Sequence, residues 1–424
     1  MNRTVDFRDG GKFDVAVIGA GTAGVFAAIS AARSGARTLL IEKNSLTGGT
    51  MTAAGVDFPG LFHAWGKQII DGPCFEAIKR CEALGGAVIP EIIEEPEEHW
   101  SLQIKLDPFI FTAVTEQMLD EAGVELWYHT MPVSVQKTDT NIEILAACKD
   151  GAVLFHANTV IDSTADANIC TMLGFASECS QSLQPATLIQ DISGYDLKNI
   201  DEELCLKLYR KALLNGSLFE GDFQHCTPVD AFRQGRISMH IPCPDVSDSY
   251  SRTLLEKSAR SALLRILAFL RTVPNAEGVY ISRFANECGV RETKRIIGEG
   301  YMTVDNYVND YTYPDAVAYC FYPVDLHVQT GIEQIFLKKG VIPTIPYSAL
   351  IPKGSDRVLA AGRCASGDAA ANSAYRVQAS CMAMGQVAGV AAAIAAKDGI
   401  SVRDVPLKQL REKLLNIGAI VPDL

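Results

Sequence analysis

No two of the twelve cysteines are spaced as a CxxC pair, which removes the usual zinc and iron–sulfur ligand patterns and leaves most of them as small buried hydrophobes. No basic stripe occurs and the formal charge is -12, so a nucleic acid or an anionic membrane finds no cationic surface to bind. Residues 1–10 carry charges and no apolar h-region, and no secretion signal is expected. The one stretch near membrane-span length, Ala379 to Ala396, consists largely of alanine, glycine and other small residues around Gln386. Alanine contributes little to insertion, so a buried helix is expected there. No internal repeat or low-complexity tract is present. The acidic cluster Glu91, Glu94, Glu95, Glu97 and Glu98, broken by Pro96, reads as a solvated loop rather than a metal site. A cytoplasmic, reducing location is the expectation these absences leave.

What is present begins with Val15-Ala16-Val17-Ile18, which opens directly into Gly19-Ala20-Gly21-Thr22-Ala23-Gly24. The pattern predicts a strand feeding a dinucleotide turn. Its first glycine allows the turn, its second admits a pyrophosphate, and its third lets the next helix approach the strand. Phosphates then sit at a helix N-terminus, where unpaired N–H groups and the helix dipole bind anions. A helix over Ala23 to Ser34 and a second strand over Arg37 to Ile41 follow, closing on Glu42, which can accept both ribose hydroxyls and disfavours a cofactor with a 2′-phosphate.

With 424 residues, 48% of them hydrophobic and 21% charged, the chain has room for two or three domain-sized units of an ordinary enzyme. Two further strands, Thr159–Asp162 and Arg357–Ala360, fit the same sheet from far downstream, so a discontinuous nucleotide-binding domain is expected. Helical spacing over 107–123, a strand at 125–128 and an alternating meander over 133–148 complete it. The expected class is α/β: a Rossmann-like cofactor-binding domain of residues 1–57, 105–179 and 341–424, with an inserted α+β cap or substrate domain of residues 58–104 and 180–340. Within the cap, Leu254 to Val273 reads as an amphipathic helix with Leu254, Leu255, Ala259, Leu263, Leu264, Ile266, Leu267 and Leu270 on its stripe.

The glycine turn alone does not separate NAD from FAD. A second glycine-rich turn, Lys43 to Ala53, lies where a longer cofactor extends its flavin end, and no second GxGxxG supplies a nicotinamide domain. Together with Val160 to Asp166, Gln184 to Leu188, Gly289 to Arg295, Tyr322 to His327, Ile345 to Lys353, Gly362-Arg363 and Arg376 to Gln386, these segments resemble the FAD-dependent oxidoreductases of the glutathione-reductase-like superfamily, in the branch with one FAD domain plus a cap. The resemblance spans nearly the whole chain. It implies FAD bound by Gly19, Gly21, Thr22, Ala23 and Gly24, by Glu42 and Lys43, and by Gly48, Gly49, Thr50 and Met51. It adds Val133, Ala165 and Asp166, the pair Gly362 and Arg363, and Arg376, Gln378, Ala379 and Ser380 along a helix beside the flavin N1/O2 edge. Ala165 departs from the family, which usually has glycine before the aspartate.

Flavin chemistry requires a group to handle one proton. His327, with Asp325 two residues before it, is the candidate acid or base, because imidazole titrates near working pH. Arg291 is the candidate anchor for a substrate carboxylate or carbonyl oxygen, with Lys294 and Arg295 nearby, against the alternative of a structural ion pair. His63, His99, His129, His156, His225 and His240 have no comparable context. The expected function is hydride exchange between a small-molecule substrate and FAD, with a separate electron acceptor or donor, no metal, and room for an oligomer. Two alternatives are an electron-relay subunit, disfavoured by the missing cluster cysteines, and an NAD-using enzyme like thiazole synthase, disfavoured by the long cap.

Overall fold

The computed structural model describes residues 6–92, 102–224, 226–243, 246–328 and 331–423. Glu94 to Glu98, His99, His225 and the first five residues lie outside them. The central sheet is built from β1 (Phe7–Ile18), β2 (Thr38–Ile41), β3 (Glu125–Trp127), β4 (Met131–Lys137), β5 (Ile142–Cys148), β6 (Gly151–Asp162) and β7 (Val358–Ala360). Its order is β3-β2-β1-β6-β5-β4, with β7 paired to the C-terminal end of β6. The β3, β2, β1, β6 and β7 pairings are parallel, whereas β5 and β4 return antiparallel as the meander. The first strand starts earlier than expected: Phe7 to Lys12 extend β1 along β6 in spite of their charges, because the strand there is exposed on its edges and can carry polar side chains.

Alternation along these strands divides two cores. Val15, Val17, Leu40, Ile161 and Leu359 face one side, while Ala16, Ile18, Leu39, Ile41, Val160 and Ala360 face the other, against the meander and Phe155. The first side is covered by α1 (Thr22–Arg33), α2 (Pro108–Ala122) and α4 (Gln378–Asp398), and α3 (Ser249–Leu270) belongs to a third core formed within residues 186–290. Residues 61–81 and 302–324, placed in the cap by sequence, bury their apolar side chains in the core shared with α1 and α4. Two stripes differ from expectation. On α2, whose expected helical spacing is Phe109, Ala113, Val114, Met118 and Leu119, Phe109 is 79% exposed and Phe111 is buried instead; on α3, Leu254 and Leu264 face out and the helix ends at Leu270. The buried faces take in Phe111 and Thr115 on α2 and Ala262 and Phe269 on α3 instead, a shift that a stripe read from leucine and phenylalanine spacing does not resolve.

The segment of membrane-span length is α4, and nearly all of it is buried inside the protein. Its small residues serve helix contact. A Cβ on Gly385 would lie 2.1 Å from the Ala23 carbonyl oxygen, and one on Gly389 would lie 2.2 Å from that of Ala27. Gly385→Val should therefore push α4 off α1 and lower stability by about 1–3 kcal/mol or more, read as a drop in the urea midpoint at unchanged slope. An unchanged midpoint would mean that this helix contact is looser than its geometry implies.

Candidate functional site

At the end of β1 the turn Gly19 to Gly24 feeds α1. Gly19 has φ +98, and a Cβ on Gly24 would lie 1.8 Å from the Gly19 carbonyl oxygen. Gly21, the N-cap of α1, faces open space with nothing within 4 Å of a Cβ built there. That is the room a pyrophosphate needs beside Thr22 and Ala23 at the helix N-terminus. Gly48 bridges Gly21 and its N–H donates to the Ala20 carbonyl at 2.8 Å, while a Cβ on Gly49 would fall 2.9 Å from the Gly21 Cα. The two glycine-rich turns are thus in contact, with Thr50 and the buried Met51 following in a short 3-10 turn.

Glu42 closes β2 as expected, but its carboxylate is already engaged. The Ala20 N–H donates to Oε2 at 2.7 Å and the Asn44 N–H to Oε1 at 2.8 Å. Each oxygen keeps a second lone pair for a ribose hydroxyl. Burial pushes the Glu42 pKa up against the pull of these two amides. Lys43 reaches Glu287 at 3.2 Å on the surface. Val133 stands 49% exposed where the β4–β5 register shifts.

Beyond β6, Ala165 has φ +67. This left-handed conformation explains the family's usual glycine, and an alanine there costs roughly 1–2 kcal/mol. It turns Asp166 toward Arg363, which donates from Nη2 at 2.6 Å, and toward the Thr293 hydroxyl, also at 2.6 Å. Burial would raise the Asp166 pKa, but Arg363 and Thr293 hold it below the usual carboxylate range. A Cβ on Gly362 would lie 3.0 Å from that of Ala23, so β7 ends directly on the start of α1. At the start of α4, Gln378 donates from Nε2 to the Val56 carbonyl at 2.7 Å. The buried atoms Arg376 Nε, Gln378 Oε1 and Ser380 Oγ have no protein partner there, and Ala379 donates its N–H to Pro59. A glycine cradle, a ribose acceptor and unmet polar atoms beside it fit a flavin dinucleotide.

The proton-handling candidates meet in the strand Val324–Val328. Residues two apart share a face, and His327 Nε2 lies 2.9 Å from Asp325 Oδ2. On the other side, His327 Nδ1 lies 2.9 Å from His240 Nε2. Burial, with Arg291 nearby, outweighs Asp325 and pushes the His327 pKa down to about 4. The neutral ring therefore donates its Nε2–H to Asp325 and accepts the His240 Nε2–H at Nδ1. Burial would raise the Asp325 pKa, but the His327 hydrogen bond and Arg376 hold it down. Gln334 donates to Asp325 Oδ1 at 3.0 Å, and Gln184 Oε1 accepts the His327 N–H at 3.1 Å. Asp325 and His327 line a cavity of about 670 Å³ together with Phe58, Leu61, Tyr322 and Phe336.

Among the described residues, Arg291 has no carboxylate partner within 4.0 Å. It donates from Nη1 to the Pro185 carbonyl at 2.5 Å, and burial beside Arg376 lowers its pKa to about 9. Arg295, expected nearby, instead donates to the Gly367 carbonyl. His240 and Gln184 were not assigned roles from sequence. No local pattern marks His240; only its meeting with His327, 87 positions away, does so.

Because the unfolded histidine titrates near 6.5 and the folded one at about 4, the unfolded chain binds more protons between those values. His327 should therefore make the protein less stable as pH falls from about 6.5 to 4. Urea unfolding across that window should show a shallower pH slope in His327→Gln than in the parent. Equal slopes would mean the imidazole titrates normally.

A model of the family described as FAD dependent oxidoreductase matches residues 14–414. No curated protein matches the chain. Among solved structures, a geranylgeranyl bacteriochlorophyll reductase-like protein from Thermoplasma acidophilum is 13% identical with a TM-score of 0.46, over 96% of this chain and 84% of that one. A p-nitrophenol 4-monooxygenase from Pseudomonas putida is 14% identical with a TM-score of 0.41, over the same shares of 96% and 84%. A flavin-dependent brominase is 13% identical with a TM-score of 0.47, over 95% of this chain and 83% of that one.

Proposed function

The chain belongs to the FAD-dependent oxidoreductase family, and from that premise we propose that it exchanges a hydride between a small organic substrate and its flavin, with His327 handling the accompanying proton. FAD bound in the cradle supplies the hydride acceptor or donor. The chain's own residues do the rest. Backbone N–H groups from Gly21 onward would hold the pyrophosphate, Glu42 would hold the ribose, and the amides at the start of α4 would stabilise charge on the flavin.

The observation that carries this reading is the buried Asp325–His327 pair in the wall of the cavity. A neutral imidazole with a carboxylate on one nitrogen is a base whose conjugate acid that carboxylate stabilises. A substrate hydroxyl or amine reaches Nδ1 in place of the His240 N–H, and Asp325 keeps the ring in its orientation.

The test is the visible spectrum of the purified protein, with the released cofactor identified by mass, followed by anaerobic mixing with a panel of alcohols, amines and acids. Intact FAD and bleaching by a small molecule are the expected results. A flavin reduced by dye or protein donors alone would favour electron relay and end the proposal.

A further inference from the structure

We propose that Arg291 and Arg376 together bind the carboxylate of an organic-acid substrate whose apolar body fills the adjoining cavity; this deepens, and rests on, the hydride-transfer reading. Other arginines of residues 186–290 show what a compensated guanidinium looks like in this protein. Arg236 lies 2.7 Å from Asp57 and 2.9 Å from Asp191, Arg265 pairs with Asp222, and Arg283 lies 2.5 Å from Asp191. Arg291 and Arg376 have no carboxylate within 4.0 Å among the described residues. Arg291 makes one hydrogen bond, to the Pro185 carbonyl, and Arg376 makes two, to Gln184 Oε1 at 3.2 Å and the Asp325 carbonyl at 3.4 Å.

Consecutive residues Gln184 and Pro185 hold the two guanidinium groups, so they converge, and Arg376 Nε is buried without a partner. Asp325, whose oxygens accept from His327 and Gln334, makes no ion pair within 4.0 Å with either guanidinium and attracts them only at longer range. Two partly buried guanidinium groups with spare N–H donors favour an acceptor of opposite charge between them. A planar carboxylate, accepting from both forks, supplies the missing charge and the missing acceptors at once. Arg376 reaches the carbonyl of Asp325, which lines the cavity, so the remainder of such a molecule would meet Phe58, Leu61, Phe321, Tyr322, Phe336 and Leu337 in the cavity wall. Burial lowers the pKa of both arginines, with Arg376 adding to the effect on Arg291 and Arg363 to that on Arg376.

The FAD-loaded full chain should be titrated with benzoate, benzamide and inorganic phosphate, following both the visible flavin spectrum and the heat of binding. Benzoate is expected to perturb the flavin and bind at least about tenfold more tightly than either of the others. Arg291→Gln should weaken benzoate by about tenfold or more with FAD content unchanged, and Arg291→Lys should recover part of the loss. Sulfite, which adds to the flavin and reports charge stabilisation on the ring, should bind equally to the parent and Arg291→Gln. Equal affinity for benzoate and benzamide, tighter binding of phosphate, or a Gln variant that loses sulfite but not benzoate would overturn the proposal. If benzoate behaves as expected and no organic acid reduces the flavin, hydride transfer fails while the carboxylate site stands. If neutral alcohols reduce it and benzoate does not compete, the reverse holds.

Discussion

His327→Ala should retain FAD and lose flavin reduction by about 10²- to 10⁴-fold, the usual range for removing a general acid or base. The side chain touches none of the groups in the glycine cradle; its partners are Asp325, His240 and, through its backbone N–H, Gln184. FAD stoichiometry after gel filtration should therefore match the parent, and rapid-mixing reduction should not. Asp325→Asn separates two roles. An amide can present Nδ2–H to His327 and force the opposite tautomer, so reduction should fall although the fold and the cavity persist. Because His327 is pushed down to about 4, the acid limb of the rate profile should lie well below the ordinary histidine value. Normal reduction by a true substrate in His327→Ala would remove this residue from the mechanism.

Glu42→Ala should weaken FAD binding by about 100-fold or more. The variant deletes the ribose acceptor and also orphans the Ala20 and Asn44 N–H groups, both of which now donate to an ionised oxygen. Hydrogen bonds to a charged partner contribute about 1.5–3 kcal/mol each, and every 1.4 kcal/mol is tenfold in affinity. Glu42→Gln should not rescue it. Its amide nitrogen would face a second donor, either from Ala20 or from Asn44, so one clash replaces one bond. The readout is FAD released on dilution and gel filtration, and full retention by either variant would mean the cofactor does not depend on this carboxylate.

The nucleotide-binding half was legible because local rules govern it. A strand, a glycine turn, a helix and an acid within one supersecondary unit each follow from steric and dipole constraints acting over a few residues. The boundaries moved only slightly, to Thr22–Arg33 and Thr38–Ile41. Even the departure at Ala165 was visible as an odd residue, although its left-handed backbone was not. The early start of β1 was missed because charges at 8, 9 and 12 argued against a strand that β6 nevertheless pairs.

The chemistry end of the site was half legible. Asp325 and His327 could be paired on paper, since alternate residues of a strand share a face. His240, Gln184 and Gln334 could not, because each arrives from a separate segment through packing alone. Arg291 was visible as a cation but not as one without a counter-charge. That depends on where every acid of the chain ends up.

By itself, then, the sequence determined the cofactor class and the α/β frame, because these rest on short-range backbone geometry and period-2 alternation. Only the tertiary structure decided which nitrogen of His327 meets Asp325 and which meets His240, that the two glycine turns touch, and that two partly buried arginines have no carboxylate within 4.0 Å among the described residues. Those are properties of burial and of contacts between distant segments, and no pattern along the chain encodes them locally.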